Sequence, residues 1–404
     1  MADIKDFSRN PLRMRQEEPR DERDKQNLQS KINRHRMLNF YKFCFMGIVI
    51  VGIVVLIYIQ WKRLVYTDYE VVQQNEWTKS EEAHSMELKG TILTYSKDGM
   101  TCTDTKGNAI WNQTYEMQSP IVRTCQNVVA IGDYNGRSIY VANTSQIIGR
   151  IDTTMPIREF CVSANGVVAA VLDDSTVTAI SVCSIKGEHV YFKTTMSKSG
   201  YPIAIDITDD GQQVAVSYLK AENGKIVSNI GFYNFSSVGQ NYTDNLVGAY
   251  GCDGAVVPVV SFMNNNTCFA LADNKLMFYQ GRQKPVSLSD IWLSDEVQSV
   301  FYNENYVGLV FYNTEGEQTY RLDVYDTNGT QRISIPFELK YQNIIFQDAG
   351  IVIHNENQCL IYSWENLMKY EGTFKEPIRC FVPSGSIDRY MLVTDDSIQH
   401  IRLR

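Results

Sequence analysis

Residues 128–142 read VVAIGDYNGRSIYVA: a run of apolar and small residues, a polar turn containing Asn135 and Gly136, and a second run rich in β-branched and aromatic side chains. Two short runs of this kind joined by an Asn-Gly turn are the signature of a β-hairpin. The unit recurs. It appears as ILTYSKDGMTCTD from Ile92, VVAAVLDDSTVTAISV from Val167, QVAVSYLKAENGKIVSNIGFYNF from Gln213 and CFALADNKLMFYQ from Cys268. It continues as VGLVFYNTEGEQTYRLDVYD from Val307, GIVIHNENQCLIYSW from Gly350 and YMLVTDDSIQHIRL from Tyr390. Successive starts lie 36, 39, 46, 55, 39, 43 and 40 residues apart, close to the spacing of four-stranded propeller blades.

The segments around the hairpins complete the pattern. IVRTC at Ile121, IREFC at Ile157, PIAIDI at Pro202, VVPVVSF at Val256, VQSVFY at Val297, YQNIIF at Tyr341 and IRCFV at Ile378 precede hairpins and read as inner strands. AIWNQTY at Ala109, QIIGRID at Gln146, HVYFKTT at His189 and QRISIPF at Gln331 follow them and read as outer strands. The fold class is therefore all-β, a propeller of about eight four-stranded blades over residues 90–404; seven blades follow instead if the first or last hairpin is a cap. A row of β-sandwiches would need linkers, and no Pro/Gly/Ser-rich linker interrupts the repeats. The last unit stops after three strands, so residues 62–89, and Tyr69 to Lys89 in particular, are expected to supply ring-closing strands. The long units around residues 220–228 and 236–254 are expected to place extended loops on one face.

Ahead of the repeats, residues 43–61 read FCFMGIVIVGIVVLIYIQW with no charge. As a helix this stretch reaches roughly 28 Å, which matches a hydrocarbon core of about 30 Å. A transmembrane helix over 43–61 follows, rather than a cleaved signal peptide, whose apolar run is shorter and ends in small residues. Lys31, Arg34, Arg36 and Lys42 precede the span and only Lys62 and Arg63 directly follow it. That bias sets the amino-terminal tail, residues 1–42, in the cytoplasm and the rest outside. The tail is rich in charge of both signs, and reads as disordered or as a solvated helix feeding the span.

GMTCTDTKGNAIW at Gly99 to Trp111 resembles the repeat of quinoprotein-like propellers: a strand ending in Asp, a tight turn with Gly, then Trp opening the outer strand. Asp104 can bond the turn, Gly107 can take a positive φ, and Trp111 can wedge between blades. LDVYDTNGTQ at Leu322 is a second copy with Asp326 and Gly329 but no Trp. With its charged tail, single span, YSKDG at Tyr95 and CTDTKGNAIWNQTY at Cys102, the whole chain resembles an uncharacterised family of single-pass propeller proteins of Gram-positive bacteria. That resemblance implies an architecture and a cell-envelope location, with WD40-like repeats. It implies no activity and no quinone cofactor.

The chain of 404 residues has a net charge of −8, although its first 42 residues carry an excess of Lys and Arg. The acidic remainder disfavours nucleic acid as a partner. The five histidines, His35, His84, His189, His354 and His400, form no HExxH pair, and there is no CxxC, GxSxG or phosphate-cradling GxxxxGK[ST]. DITDDG at Asp206 to Gly211 is the stretch nearest a calcium loop. Thr208 and Ser217 stand where two ligands are wanted, so a polar hairpin turn is the better reading. The acidic pairs Asp173/Asp174, Asp209/Asp210 and Asp395/Asp396 fall at or beside turns, where Asp bonds its own backbone. No catalytic, cofactor-binding or metal-binding residue is assigned, and no cofactor.

Cys44 lies in the span, leaving Cys102, Cys125, Cys161, Cys183, Cys252, Cys268, Cys359 and Cys380 outside. Most sit in apolar strand patterns and read as buried thiols, since a chain of this size needs no disulfide framework. The functional expectation is a membrane-anchored, extracytoplasmic binding or scaffold module with a protein, peptide or wall-glycan partner. The alternative is an envelope enzyme acting on carbohydrate through carboxylates that converge on the propeller axis. The two differ in whether titratable groups meet at one mouth of that axis.

Overall fold

A strand that is apolar on both faces, as the first run of each hairpin is, is stable only between two other layers. The computed structural model, which describes residues 20–77, 83–186, 188–194, 200–222, 224–314 and 316–404, meets that need with eight four-stranded antiparallel sheets. They are the blades of a propeller. Blades 1 to 8 comprise residues 84–114, 120–152, 157–194, 201–253, 259–292, 297–337, 343–373 and 380–403, the last completed by Tyr69–Glu76. Second strands such as Thr267–Leu271 and Gly350–His354 are buried throughout, while an outer strand such as Val286–Trp292 is mostly exposed.

The core lies between blades. Leu93 and Met100 of blade 1 meet Val129 and Ile131 of blade 2, and Leu322 and Ile335 of blade 6 meet Ile344 and Ile351 of blade 7. Each such side chain contributes roughly 1.5–3 kcal/mol by leaving water, so every blade depends on its neighbours.

The ring closes through the segment ahead of the first hairpin, which divides between two blades. Tyr69–Glu76 is the outer strand of blade 8, paired antiparallel from Tyr69 with Leu403 to Glu76 with Ser397. His84–Leu88 is the inner strand of blade 1. Residues 78–82 between them lie outside the described residues. The junction is sealed by Trp77, Ile92, Met391 and Ile398, and Thr67 N–H donates to the Arg404 carbonyl at 2.8 Å.

Three outer strands escaped the sequence reading: Leu246–Asp253, Val286–Trp292 and Met368–Thr373. The two insertions also differ from expectation. Residues 220–228 are the extended end of a hairpin, since Gln213–Glu222 and Lys225–Asn234 are ten residues each. The second insertion, with two short 3₁₀ turns before the outer strand, joins the third and outer strands of the same blade and so lies on the opposite face.

All eight outer strands share one irregularity. Within its first four residues each skips one position against the third strand: Ile110, Ile148, Val190, Val247, Leu288, Arg332, Lys369 and Val72. A bulge there twists the free edge and spoils it as a template for another strand. Of the displaced residues, Ile110, Val190, Leu288 and Val72 have exposed side chains, while Val247 and Lys369 are buried.

Ahead of the ring unit, Val65–Arg404, the chain forms one helix, Arg20–Lys62, of 43 residues. Its stretch Asn27–Gln60 is long and apolar enough to cross a membrane, by length and composition. The charged run between residues 20 and 42 takes the helical form of its two expected states; residues 1–19 lie outside the described residues.

Candidate functional site

Inner strands run from one face of the ring to the other and line its axis. The upper face carries the second-to-third turns and the connections between blades; the lower face carries the first-to-second and third-to-outer turns. The quinoprotein-like motif builds two of the lower turns. Asp104 accepts from Lys106 N and Asn108 N at 2.8 and 2.9 Å, with Gly107 at φ +88°, and Asp326 does the same for Asn328 N and Thr330 N around Gly329.

The lower mouth of the axis is a cavity of about 860 Å³. Asp206 lies on its wall and accepts from Ser261 Oγ at 2.6 Å and Phe262 N at 2.7 Å. Burial pushes its carboxyl up to about 6, against the opposing effect of those bonds. Asp209 accepts from Cys125 Sγ at 3.1 Å and Gln126 Nε2 at 2.8 Å, and burial and Asp209 together push the Cys125 thiol up. Glu87 is raised by burial as well, while Arg123 is paired with Glu159 at 2.9 Å. Carboxylates thus do gather at one mouth. Only Asp209 among them comes from an acidic pair, because Asp210 turns away to accept from Thr208 Oγ1 at 2.8 Å. Asp206 and Asp210 therefore diverge, and DITDDG is a hairpin turn.

The other acidic pairs lie on the upper face. Asp173 accepts from Ser175 N and Asp174 from Val177 N, the latter's bonds holding its carboxyl below the usual range. Asp395 takes two bonds from Arg379 at 2.9 Å each, on the rim of an upper cavity of about 840 Å³. His84 lines that rim, and His354 is buried against Phe381, which lowers its pKa. Among the described residues no group of three or more His, Cys, Asp or Glu is placed to hold a metal ion. None of the nine cysteines is in a disulfide, and all but Cys44 and Cys125 are buried.

The upper face has a second property, which the sequence reading missed. Tyr134, Tyr201, Trp292 and Tyr312 are 45, 42, 71 and 54 % exposed, and each stands in a second-to-third turn or at the strand end that reaches this face. On the lower side the large exposed aromatics are Tyr242, on the blade 4 insertion, and Tyr302, inside the mouth. Three of the four upper rings are engaged. Arg158 lies over Tyr134 at 5.6 Å, Lys275 over Trp292 at 5.5 Å, and Tyr201 Oη donates to Asp173 at 3.1 Å. Tyr312 instead begins a stack across blade 6, with Tyr320 at 5.7 Å and then Phe337 at 5.4 Å, and Tyr341 stands edge-on to Tyr320 at 5.2 Å.

A family model described as Family of unknown function (DUF5711) matches residues 62–403. The chain belongs to this family. No curated protein matches it. Solved structures with a similar fold include BamB from Moraxella catarrhalis, at 11 % identity and TM-score 0.50, with 83 % of this chain and 100 % of that one covered. Sqt1 from Chaetomium thermophilum, bound to the N-terminus of the ribosomal protein L10, gives 10 % identity, TM-score 0.52 and the same coverage. At such identities the likeness is one of fold, and what a member of the DUF5711 family does has to be argued from its own faces and mouths.

Proposed function

We propose that this DUF5711 protein is a non-enzymatic binding or scaffold module of the cell envelope, anchored by the uncharged stretch 43–61 of its helix with its amino terminus in the cytoplasm, its propeller outside, and its upper face as the docking surface. The observation that carries this reading is the segregation of Tyr134, Tyr201, Trp292 and Tyr312 to one face. Exposed rings flanked by Arg and Lys are the side chains that dominate protein interfaces, because they bury large area with few rotamers to freeze. Sqt1, seen with a polypeptide segment bound, lends support as a ring of like fold.

The runner-up, an envelope enzyme acting on carbohydrate, draws on the lower mouth. There Asp206 is held by Ser261 and Phe262, and Asp209 by Cys125 and Gln126, so both carboxylates are occupied with positioning bonds to the wall.

The test is photo-crosslinking in intact cells from a reactive residue placed at Trp292 or Tyr312, with Tyr242 on the lower side as control. A discrete adduct from the upper positions that a membrane-impermeant quencher suppresses supports both face and topology. Adducts only at Tyr242, or adducts insensitive to the external quencher, would overturn the reading.

A further inference from the structure

We infer that the stack on blade 6 is a receptor for a cationic side chain, and that the partner of the upper face is a basic polypeptide segment whose Arg or Lys seats on the open face of Tyr312. The inference rests on the docking role proposed above and gives it a chemistry. Tyr312 is the residue that makes it. One face of its ring stacks on Tyr320 and, among the described residues, no cation lies over the other. The molecule shows on the same side what such rings take: Lys275 covers Trp292, Arg158 covers Tyr134, and Arg321 covers Phe311 at 4.9 Å, one residue from Tyr312. A ring face is electron-rich, and the attraction for a cation grows when water is excluded from the contact.

Carboxylates stand on the segments at either end of the stack. Val297 pairs with Phe311, so Glu296 stands across the strands from Tyr312. On the far side Glu338 accepts from Thr319 N and Thr319 Oγ1, both at 2.7 Å, next to Tyr320. These bonds keep Glu338 ionised, its carboxyl below the usual range. Arg321, the cation that follows Tyr320, is already shared between Asp295 at 2.8 Å and Asp323 at 3.1 Å. Its charge is spent internally, leaving Glu296 and Glu338 to act on an incoming group. The ring unit as a whole, residues 65–404, carries 39 Asp and Glu against 25 Lys and Arg, so its long-range field also draws basic segments.

A neutral glycan could stack on the same ring, but it would leave those carboxylates without purpose; it is therefore an outcome of the test. The full-length protein in detergent micelles is titrated with a fluorescent hepta-arginine peptide at low and moderate salt, and separately with a neutral chito-oligosaccharide. Tyr312→Ala is expected to weaken peptide binding about ten-fold, Tyr312→Phe to retain it, and Glu296→Gln with Glu338→Gln to weaken it and flatten its salt dependence. The exposed position makes these variants mild, and an unchanged melting curve verifies that.

Peptide binding that is absent, or indifferent to Tyr312→Ala, overturns the inference, as does Tyr312-dependent binding of the oligosaccharide alone. If in-cell adducts at the upper face survive while the peptide fails, the docking role stands and its proposed chemistry falls. If the peptide binds through Tyr312 while the upper-face adducts are missing, the reverse holds.

Discussion

The indole Nε1 of Trp111, on the outer strand of blade 1, donates to the Asn143 carbonyl at the end of the third strand of blade 2, 2.8 Å away. One side chain thus joins two sheets that share no backbone pairing. Its ring also packs with the cluster of Leu93, Met100 and Val129. Because Trp111 is only partly buried, Trp111→Ala should destabilise the ring by about 2–3 kcal/mol, below the roughly 3–5 kcal/mol typical of a fully buried ring. Trp111→Phe, keeping the packing and losing the bond, should cost about 1 kcal/mol. Urea denaturation of the two variants checks the order; a Trp111→Phe variant as stable as the parent would mean the hydrogen bond carries nothing, and equal losses would mean the packing carries nothing.

Asp206 gives a pH signature. In the folded ring its carboxyl holds a proton up to about 6, whereas unfolded it ionises near its ordinary value of 3.8. Between those values the folded state binds more protons, so this group's contribution falls as pH rises and is level above about 6. Asp206→Asn preserves an acceptor for Ser261 and Phe262 and removes the titration. The stability of the variant relative to the parent should therefore climb by of order 2 kcal/mol between about pH 4 and pH 6. A difference that is flat across that window would show that the carboxyl is not pushed up.

Ring closure predicts the behaviour of shortened chains. A fragment starting at Val65 keeps Tyr69–Glu76 and should melt cooperatively as a monomer. One starting at Ala83 keeps all eight inner strands but leaves the third strand of blade 8 uncovered, and should aggregate on gentle heating. Equal melting temperatures for the two would mean that the outer strand of blade 8 is dispensable.

The thiols should behave as packed side chains. Cys161, Cys268 and Cys359 are fully enclosed and burial raises their pKa well above the ordinary value. Maleimide at neutral pH should label the native ring slowly, all eight ring cysteines should react after denaturation, and reductant should leave the melting temperature unchanged. A melting temperature that drops with reductant would reveal a disulfide.

How far the sequence could be read depended on which layer a residue joins. Second strands are enclosed on both sides and the inner strand Ile157–Val162 is largely so, and VVAIG and IREFC therefore stand out as apolar runs. The outer strands LVGAYGCD, VSLSDIW and MKYEGT touch water on one side and a free edge on the other, and their composition fades into that of loops. The upper-face rings were hidden for a different reason. Tyr312 and Tyr320 sit in runs where aromatics are expected for strand formation alone, and only the chain's direction through the blade shows that both reach the same rim. Asp206 was noticed as a loop ligand; its place within the apolar run PIAIDI was the better signal that it faces the axis.

Closure of blade 8 by Tyr69–Glu76 also orders events in time. The strand that begins at Tyr69 is among the first of the ring to be synthesised, yet its partner ends at Leu403. At about 5–20 residues per second, it waits on the order of twenty seconds to a minute for that partner to emerge. Throughout the wait the charge of Glu70 and Glu76 is what guards its unpaired edge. A nascent chain released before Leu403 therefore stays an open arc with an unfinished end, and premature termination is translated directly into a substrate for proteolysis.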